Sequence, residues 1–160
     1  MNPGIRLYRP ADEKAVVDLS LRAWQPVFAS MEAILGSEIF RRLHGDWRDY
    51  QEQSVRQTLA EDEMTIWVAD PGRVVGFAAA RVAHAQRQLG ELYMLAVDPD
   101  HQQQGVGTAL TERATDWMRD AGMRVAMIST GGDPGHAPAR RVYERAAYTL
   151  LPAAGYYKAL

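Results

Sequence analysis

The sequence predicts a single α/β (α+β) domain over residues 1–160, and three observations carry that prediction. An apolar strand, an amphipathic helix and a second strand follow one another over residues 91–130, the pattern of a βαβ unit. Asp70-Pro71-Gly72-Arg73 separates two apolar runs and reads as the turn of a hairpin. Residues 12–60 carry apolar positions at helical spacing. Together they predict a mixed sheet with helices on both of its faces, and 160 residues is one domain's length.

Ile5-Arg6-Leu7-Tyr8-Arg9 alternates apolar and polar residues and predicts a short strand. Pro10 stops it, and Asp12 is placed to cap a helix carrying Val16, Val17, Ser20, Leu21 and Trp24. Pro26 lacks an N–H, so that helix is expected to end or kink there. Further helical pieces are expected over 27–35, 37–43 and 46–59, the last entered through Asp46. Met64–Ala69 and Val74–Val82 form the hairpin, and Glu91–Val97 is a third, strongly apolar strand. The next helix runs from about Gly105 to Ala121, with Val106, Leu110, Ala114, Trp117 and Met118 on one stripe and Gly122 at its stop. A strand over Arg124–Thr130, a helix over 137–146 and a β pair at Tyr148–Leu151 and Gly155–Lys158 complete the prediction.

Composition closes off several functions. Apolar residues make up 47% and charged residues 24%, which excludes a disordered chain. Eighteen Lys and Arg against twenty Asp and Glu leave a net charge of −2, so neither nucleic acid nor a membrane surface is an expected partner. The absence of cysteine excludes disulfides, thiolate metal sites and a cysteine nucleophile. His44, His84, His101 and His136 show no metal-binding spacing, so no metal is expected. No apolar leader and no 18-residue apolar run is visible, and a cytoplasmic location is the expectation.

The chemistry is expected at Gln102-Gln103-Gln104-Gly105-Val106-Gly107-Thr108, which follows a strand and opens a helix. Such a loop aims backbone N–H groups and the positive end of a helix dipole at one point, where a phosphate is the natural guest. A plain strand-to-helix turn is the other reading. The dinucleotide fingerprint fails because Leu110 stands where its third glycine belongs, and no Gly-Lys-Ser/Thr of a P-loop exists.

Gln102-x-x-Gly105-x-Gly107, preceded by Leu95-Ala96-Val97-Asp98-Pro99, resembles the acetyl-CoA motif Arg/Gln-x-x-Gly-x-Gly/Ala of the GNAT superfamily of N-acetyltransferases. The order of elements matches that family over nearly the whole chain. The resemblance implies a mostly antiparallel sheet of six or seven strands with four or five helices. It implies acetyl-CoA as co-substrate, its pyrophosphate over Gln103, Gln104, Gly105, Val106, Gly107 and Thr108. Its pantetheine would pair with the backbone of Leu95, Ala96 and Val97, an opened edge whose unpaired groups suit two amides. A backbone N–H near Leu95 would hold the developing oxyanion.

His136-Ala137-Pro138-Ala139-Arg140-Arg141-Val142-Tyr143 resembles the family's Asn-x-x-Ala-x-x-x-Tyr. The resemblance implies that Tyr143 protonates the leaving thiolate and that the residue at 136 bonds the pantetheine. Here that residue is histidine, which can make one such bond through either nitrogen. Glu91 stands where many members carry a general base for the acceptor ammonium. Each residue has a plainer reading: Tyr143 as core, Glu91 as a solubilising edge residue. Gly131-Gly132-Asp133-Pro134-Gly135 reads as a turn-rich loop, with a phosphate contact as the alternative. Trp24, Phe28, Trp47 and Tyr50 read as core, or as the wall of an acceptor site.

The function implied is acetyl transfer to a primary amine, of a small molecule or a protein, by direct attack in a ternary complex. The alternative is a GNAT-like module that binds acyl-CoA without turnover. The identity of the acceptor and the length of the acyl chain stay open, and a homodimer is compatible with either reading.

Overall fold

The computed structural model describes residues 3–160. Its elements, in chain order, are β1 (Ile5–Leu7), α1 (Glu13–Leu35), α2 (Ser37–His44), α3 (Trp47–Ala60), β2 (Thr65–Ala69), β3 (Gly76–His84), β4 (Leu89–Val97), α4 (Val106–Asp120), β5 (Val125–Met127) and α5 (Ala137–Arg145). The strands form one sheet in the order β1-β2-β3-β4-β5, antiparallel except for the parallel β4–β5 pair.

Strand alternation sorts the sheet's side chains to two cores. On one face Ile66, Val68, Phe77, Ala79 and Ala96 meet Val16, Val17 and Leu19 of α1 and Val55 of α3. On the other, Trp67, Ala69, Ala78, Ala80 and Leu92 meet Val106, Leu110, Ala114 and Met118 of α4, with Tyr143 of α5 against them. The predicted mixed α/β class with helices on both faces is what the chain adopts.

Four expectations are corrected. Helix α1 runs without interruption through Pro26. An interior proline costs about 3 kcal/mol, whereas each fully buried aliphatic or Phe side chain contributes roughly 1.5–3 kcal/mol. Val16, Val17 and Leu19 before Pro26 and Phe28 after it are all buried, so packing of both halves outweighs the lost hydrogen bond. Asp12 stands at the N-cap of α1, but its carboxylate accepts from Arg6 and from the Arg9 N–H instead of capping. The C-terminal β pair does not form, so the sheet has five strands rather than six or seven. Adjacent Leu150 and Leu151 break the alternation of a half-buried strand, and Pro152 has no N–H for a ladder. Instead Tyr157, Lys158, Ala159 and Leu160 line a groove beside Glu38, Ile39, Arg42 and Leu43 of α2. Finally, β5 is three residues long, not seven. It pairs with β4 only at Leu89↔Val125, Gly90↔Ala126 and Glu91↔Met127.

Candidate active site

The short β4–β5 contact opens the sheet. Strand β4 continues to Val97 while β5 stops opposite Glu91, so among the described residues the edge of β4 beyond Glu91 faces no strand. A bulge marks the start of this edge: the register against β3 passes from Ala80↔Leu92 to Ala79↔Met94, leaving Tyr93 as the extra residue. Bulges bend a strand and increase its twist, which turns the end of β4 away from β5. The Leu95 and Val97 side chains pack toward α4 and Ala96 packs toward α1. What these three predicted binding residues offer a ligand is therefore backbone.

The loop from Asp98 to Gly105 carries the end of β4 into α4. Asp98 accepts from the Asp100 N–H at 2.9 Å, and the Asp98 N–H donates to the Val75 carbonyl at 2.8 Å. The Gln102 amide donates to the Val97 carbonyl at 3.1 Å, and that of Gln104 to the Asp100 carbonyl at 3.2 Å. Both glutamines thus brace the loop internally. Gln103 and Gly105 adopt left-handed backbone with φ of 61° and 84°. Such turns cost a residue with a Cβ about 1–2 kcal/mol, which explains Gly105 and marks Gln103 as strained. Gly107 differs: a Cβ there would meet Val142 and Val97 at 3.5 Å or more, which is ordinary contact.

No side chain caps α4, and its first turn carries no acidic residue. The first-turn N–H groups have no helical acceptor and face outward with the positive end of the dipole. Val106 is buried, so it contributes its N–H alone, while Gly107 and Thr108 are half-buried. Arg22 of α1 holds the loop from outside, donating to Asp98 at 2.7 Å and to Asp100 at 2.9 Å. The Arg22 guanidinium holds the Asp100 carboxyl below the usual carboxylate range.

Tyr143 lies on α5 against the cluster that contains Leu92, Leu95 and Val97. Burial, with a smaller contribution from Tyr148, pushes its phenol up to about 12. Its hydroxyl has no hydrogen-bond partner among the described residues. Tyr143 thus packs on the same side of the sheet as Leu95 and Val97.

Glu91 sits at the foot of the opening, where β4 last touches β5. Leu92 faces α4, so alternation turns Glu91 to the α1 side of the sheet. It is 8% exposed; its Oε2 accepts from Arg81 Nε at 2.8 Å and lies 2.8 Å from Arg81 Nη2 in an ion pair. Its cross-strand partner is Arg81, whose guanidinium also lies 4.6 Å from the Tyr93 ring centroid. Glu91 and Tyr143 therefore lie on opposite faces of the sheet. His136 precedes α5, and its Nδ1 bonds Asp133. Arg22, Arg81, Ser30 and Asp133 escaped the sequence reading. The turn-rich 131–135 loop was the one signal pointing at the last of them.

The helical wall on the α1 side divides the four aromatics. Trp24 joins the sheet core. Phe28 stacks on Trp47 at 4.9 Å and meets Tyr50 edge-on, and both Phe28 and Tyr50 pack around the His44 ring. Both His44 nitrogens are buried without a partner, and burial lowers its pKa. The unfolded chain then takes the proton more readily than the folded one. Stability should be full above about pH 6.5 and decline as the pH falls below it. Urea midpoints measured from pH 7.5 to 5.5 should fall, and His44→Phe should flatten the fall. An unaltered slope in that variant would assign the acid sensitivity elsewhere.

Among the described residues no group of three or more His, Cys, Asp or Glu is placed to hold a metal ion. None of the helices is long and apolar enough to cross a membrane.

A sequence profile of the acetyltransferase (GNAT) family matches residues 28–148. A mycothiol acetyltransferase of Saccharomonospora viridis is 30% identical over 163 residues, covering 92% of this chain but 46% of that protein. The chain thus spans about half the length of the curated relatives it matches. Among solved structures, the ribosomal-protein-S18-alanine N-acetyltransferase of Escherichia coli superposes with a TM-score of 0.61 at 20% identity, covering 89% of this chain and 74% of that one. The PaiA N-acetyltransferase of Thermoplasma acidophilum, solved with coenzyme A, gives 0.60 at 14% identity over 88% and 86%. At those identities the two structures speak for the fold.

Proposed function

The chain belongs to the GNAT family of acetyltransferases, and from that membership we propose that it moves an acetyl group from acetyl-CoA to a primary amine. The observation that carries the reading is the uncapped N-terminus of α4 beside the open edge of β4. Left-handed backbone at Gln103 and Gly105, just before the uncapped first turn of α4, suits a cradle of N–H groups for a pyrophosphate. The open edge supplies unpaired backbone groups that suit the amides of a pantetheine arm. When bound, acetyl-CoA supplies an activated thioester.

The chain's own residues then divide the work. Backbone N–H groups near Leu95 hold negative charge developing on the carbonyl oxygen. Glu91 takes a proton from the acceptor ammonium, directly or through one water, at the carboxylate oxygen that Arg81 leaves free. Tyr143 donates a hydrogen bond from its O–H to the leaving sulfur as the carbon–sulfur bond breaks. No nucleophile from the protein is required. The acceptor is a small-molecule amine or a protein amino group, and a cytoplasmic setting belongs to the same proposal.

Two measurements test it. Acetyl-CoA should raise the melting temperature, since a ligand at 100 times its Kd adds about 2.7 kcal/mol. Gly107→Glu should abolish that rise by setting a carboxylate at the helix N-terminus. Free CoA should appear when the protein is offered a panel of amines and amino-terminal peptides. The chain has no cysteine, so a thiol reagent reads CoA alone. Stabilisation without CoA release from any acceptor would mean a binding module. No stabilisation, or stabilisation that survives Gly107→Glu, would remove the loop from the site.

A further inference from the structure

We propose that Ser30 and Asp133 are positioning residues for His136. They fix its ring with the proton on Nδ1, so that Nε2 of the neutral ring stands as a lone-pair acceptor for an amide N–H of the pantetheine arm. The ligand in this inference rests on the function proposed above; the state of the ring does not.

The loop from Gly131 to His136 is built around one carboxylate. Asp133 Oδ1 bonds His136 Nδ1, and a carboxylate only accepts, so Nδ1 carries the proton. Asp133 Oδ2 accepts from the Ser30 hydroxyl at 2.6 Å and from the Gly135 N–H at 3.0 Å. Both oxygens are thereby held. Burial pushes the Asp133 carboxyl up, but the hydrogen bonds from Ser30 and His136 outweigh it, and the group stays below the usual carboxylate range. Arg140 of α5 ties the loop down, donating to the carbonyls of Gly131 at 2.6 Å and Asp133 at 2.8 Å.

Two glycines give this arrangement its clearance. A Cβ on Gly131 would lie 2.4 Å from His136 Nδ1 and 2.5 Å from Asp133 Oδ1. A Cβ on Gly135 would lie 2.7 Å from Ser30 Cβ and 2.9 Å from Val27 Cα. All four distances are shorter than a real Cβ contact allows. The glycine-rich stretch is therefore a mount that lets the ring lie over its own loop and lets the loop press against α1. Ser30 is 103 residues away in sequence, so the contact is a product of the fold.

His136 Nε2 has no partner among the described residues and is not enclosed. In sequence it follows β5 and stands seven residues before Tyr143. His136 is the N-cap residue of α5, and Tyr143 closes the second turn of that helix. An amide at this place could rotate to offer either an acceptor or a donor. The locked imidazole offers one lone pair in one direction.

The test uses the whole chain. In the free native protein, long-range proton–nitrogen correlation of the imidazole should show the neutral ring protonated at Nδ1. Asp133→Asn should convert it to a mixture or to the Nε2 form. Acetyl-CoA affinity, read by calorimetry, should fall about tenfold in Asp133→Asn and by a smaller factor in Ser30→Ala. His136→Asn should bind within about threefold of native, because its side-chain oxygen restores an acceptor. The double variant Asp133→Asn/His136→Asn should bind like His136→Asn alone, since Asp133 acts only through the ring. Ser30→Ala leaves the carboxylate in place, so it reports even if Asp133→Asn fails to fold.

Protonation at Nε2 in the native ring would overturn the proposal. So would an equal loss from Asp133→Asn with histidine or asparagine at 136, which would make Asp133 a structural or direct contact. A native protein with the predicted ring but no affinity for acetyl-CoA would sink the proposed function, and the ligand with it, while leaving the ring's support by Asp133 established.

Discussion

Tyr143→Phe should lower turnover about a hundredfold while leaving the affinity for acetyl-CoA within a factor of two or three. The substitution removes one oxygen from a ring packed against the core on the α4 side of the sheet, so the packing keeps its shape. General acid catalysis is typically worth 10²–10⁴-fold. The lower end applies here for a stated reason. Burial pushes the phenol up to about 12, well above the ordinary thiol value of about 8.5. Full proton transfer to a thiolate is then uphill, and the hydroxyl acts chiefly by hydrogen-bonding the departing sulfur. Single-turnover rates, which isolate chemistry from product release, are the measurement. An unchanged rate would return Tyr143 to a packing role.

Glu91→Gln should be the second severe variant, losing about a hundredfold in kcat/KM at neutral pH and recovering in part toward pH 10. At high pH the acceptor amine is already neutral and needs no base. The recovery separates a base from a binding group, whose loss would depress the rate equally at every pH. Parallel profiles with a constant offset would mean that Glu91 orients the acceptor. Identical profiles would send the proton through another group. The variant should fold, because the Arg81 side chain is a third exposed and water can replace the charge it loses.

What the sequence made legible was whatever is encoded locally. Helical spacing from Val106 to Met118 and the glycines before it located the helix and the loop that opens it. The apolar runs on either side of Asp70-Pro71-Gly72 located the hairpin. Tyr143 and the backbone of Leu95 could be placed because a strand and a helix each carry one of them. What stayed hidden depends on register or on distant contacts. The pairing of Arg81 with Glu91 needs the β3–β4 register, which the extra residue at Tyr93 shifts. The bonds from Ser30 to Asp133 and from Arg22 to Asp98 join segments 103 and 76 residues apart. Pro26 misled because local propensity forecasts a break, whereas burial on both sides of it decides the outcome. The C-terminal residues have strand-like composition but no partner strand.

The three-pair contact between β4 and β5 also sets the order in which the molecule comes apart. Strand β3 pairs along its length with β4 and over Gly76–Ala80 with β2, and those ladders share both cores. Strand β5 and the loop to α5 are held by three register pairs, the packing of Ala126 and Ile128 against one core, and a few polar ties to α1. Opening such a segment costs less than global unfolding, so it should behave as a separate cooperative unit that exchanges its amide hydrogens first. A ligand lodged between β4 and α5 would bridge the firm part of the molecule to the loose one. Its binding free energy would then appear mainly as slowed opening of the β5–α5 unit, with little change in the β2–β3 ladder.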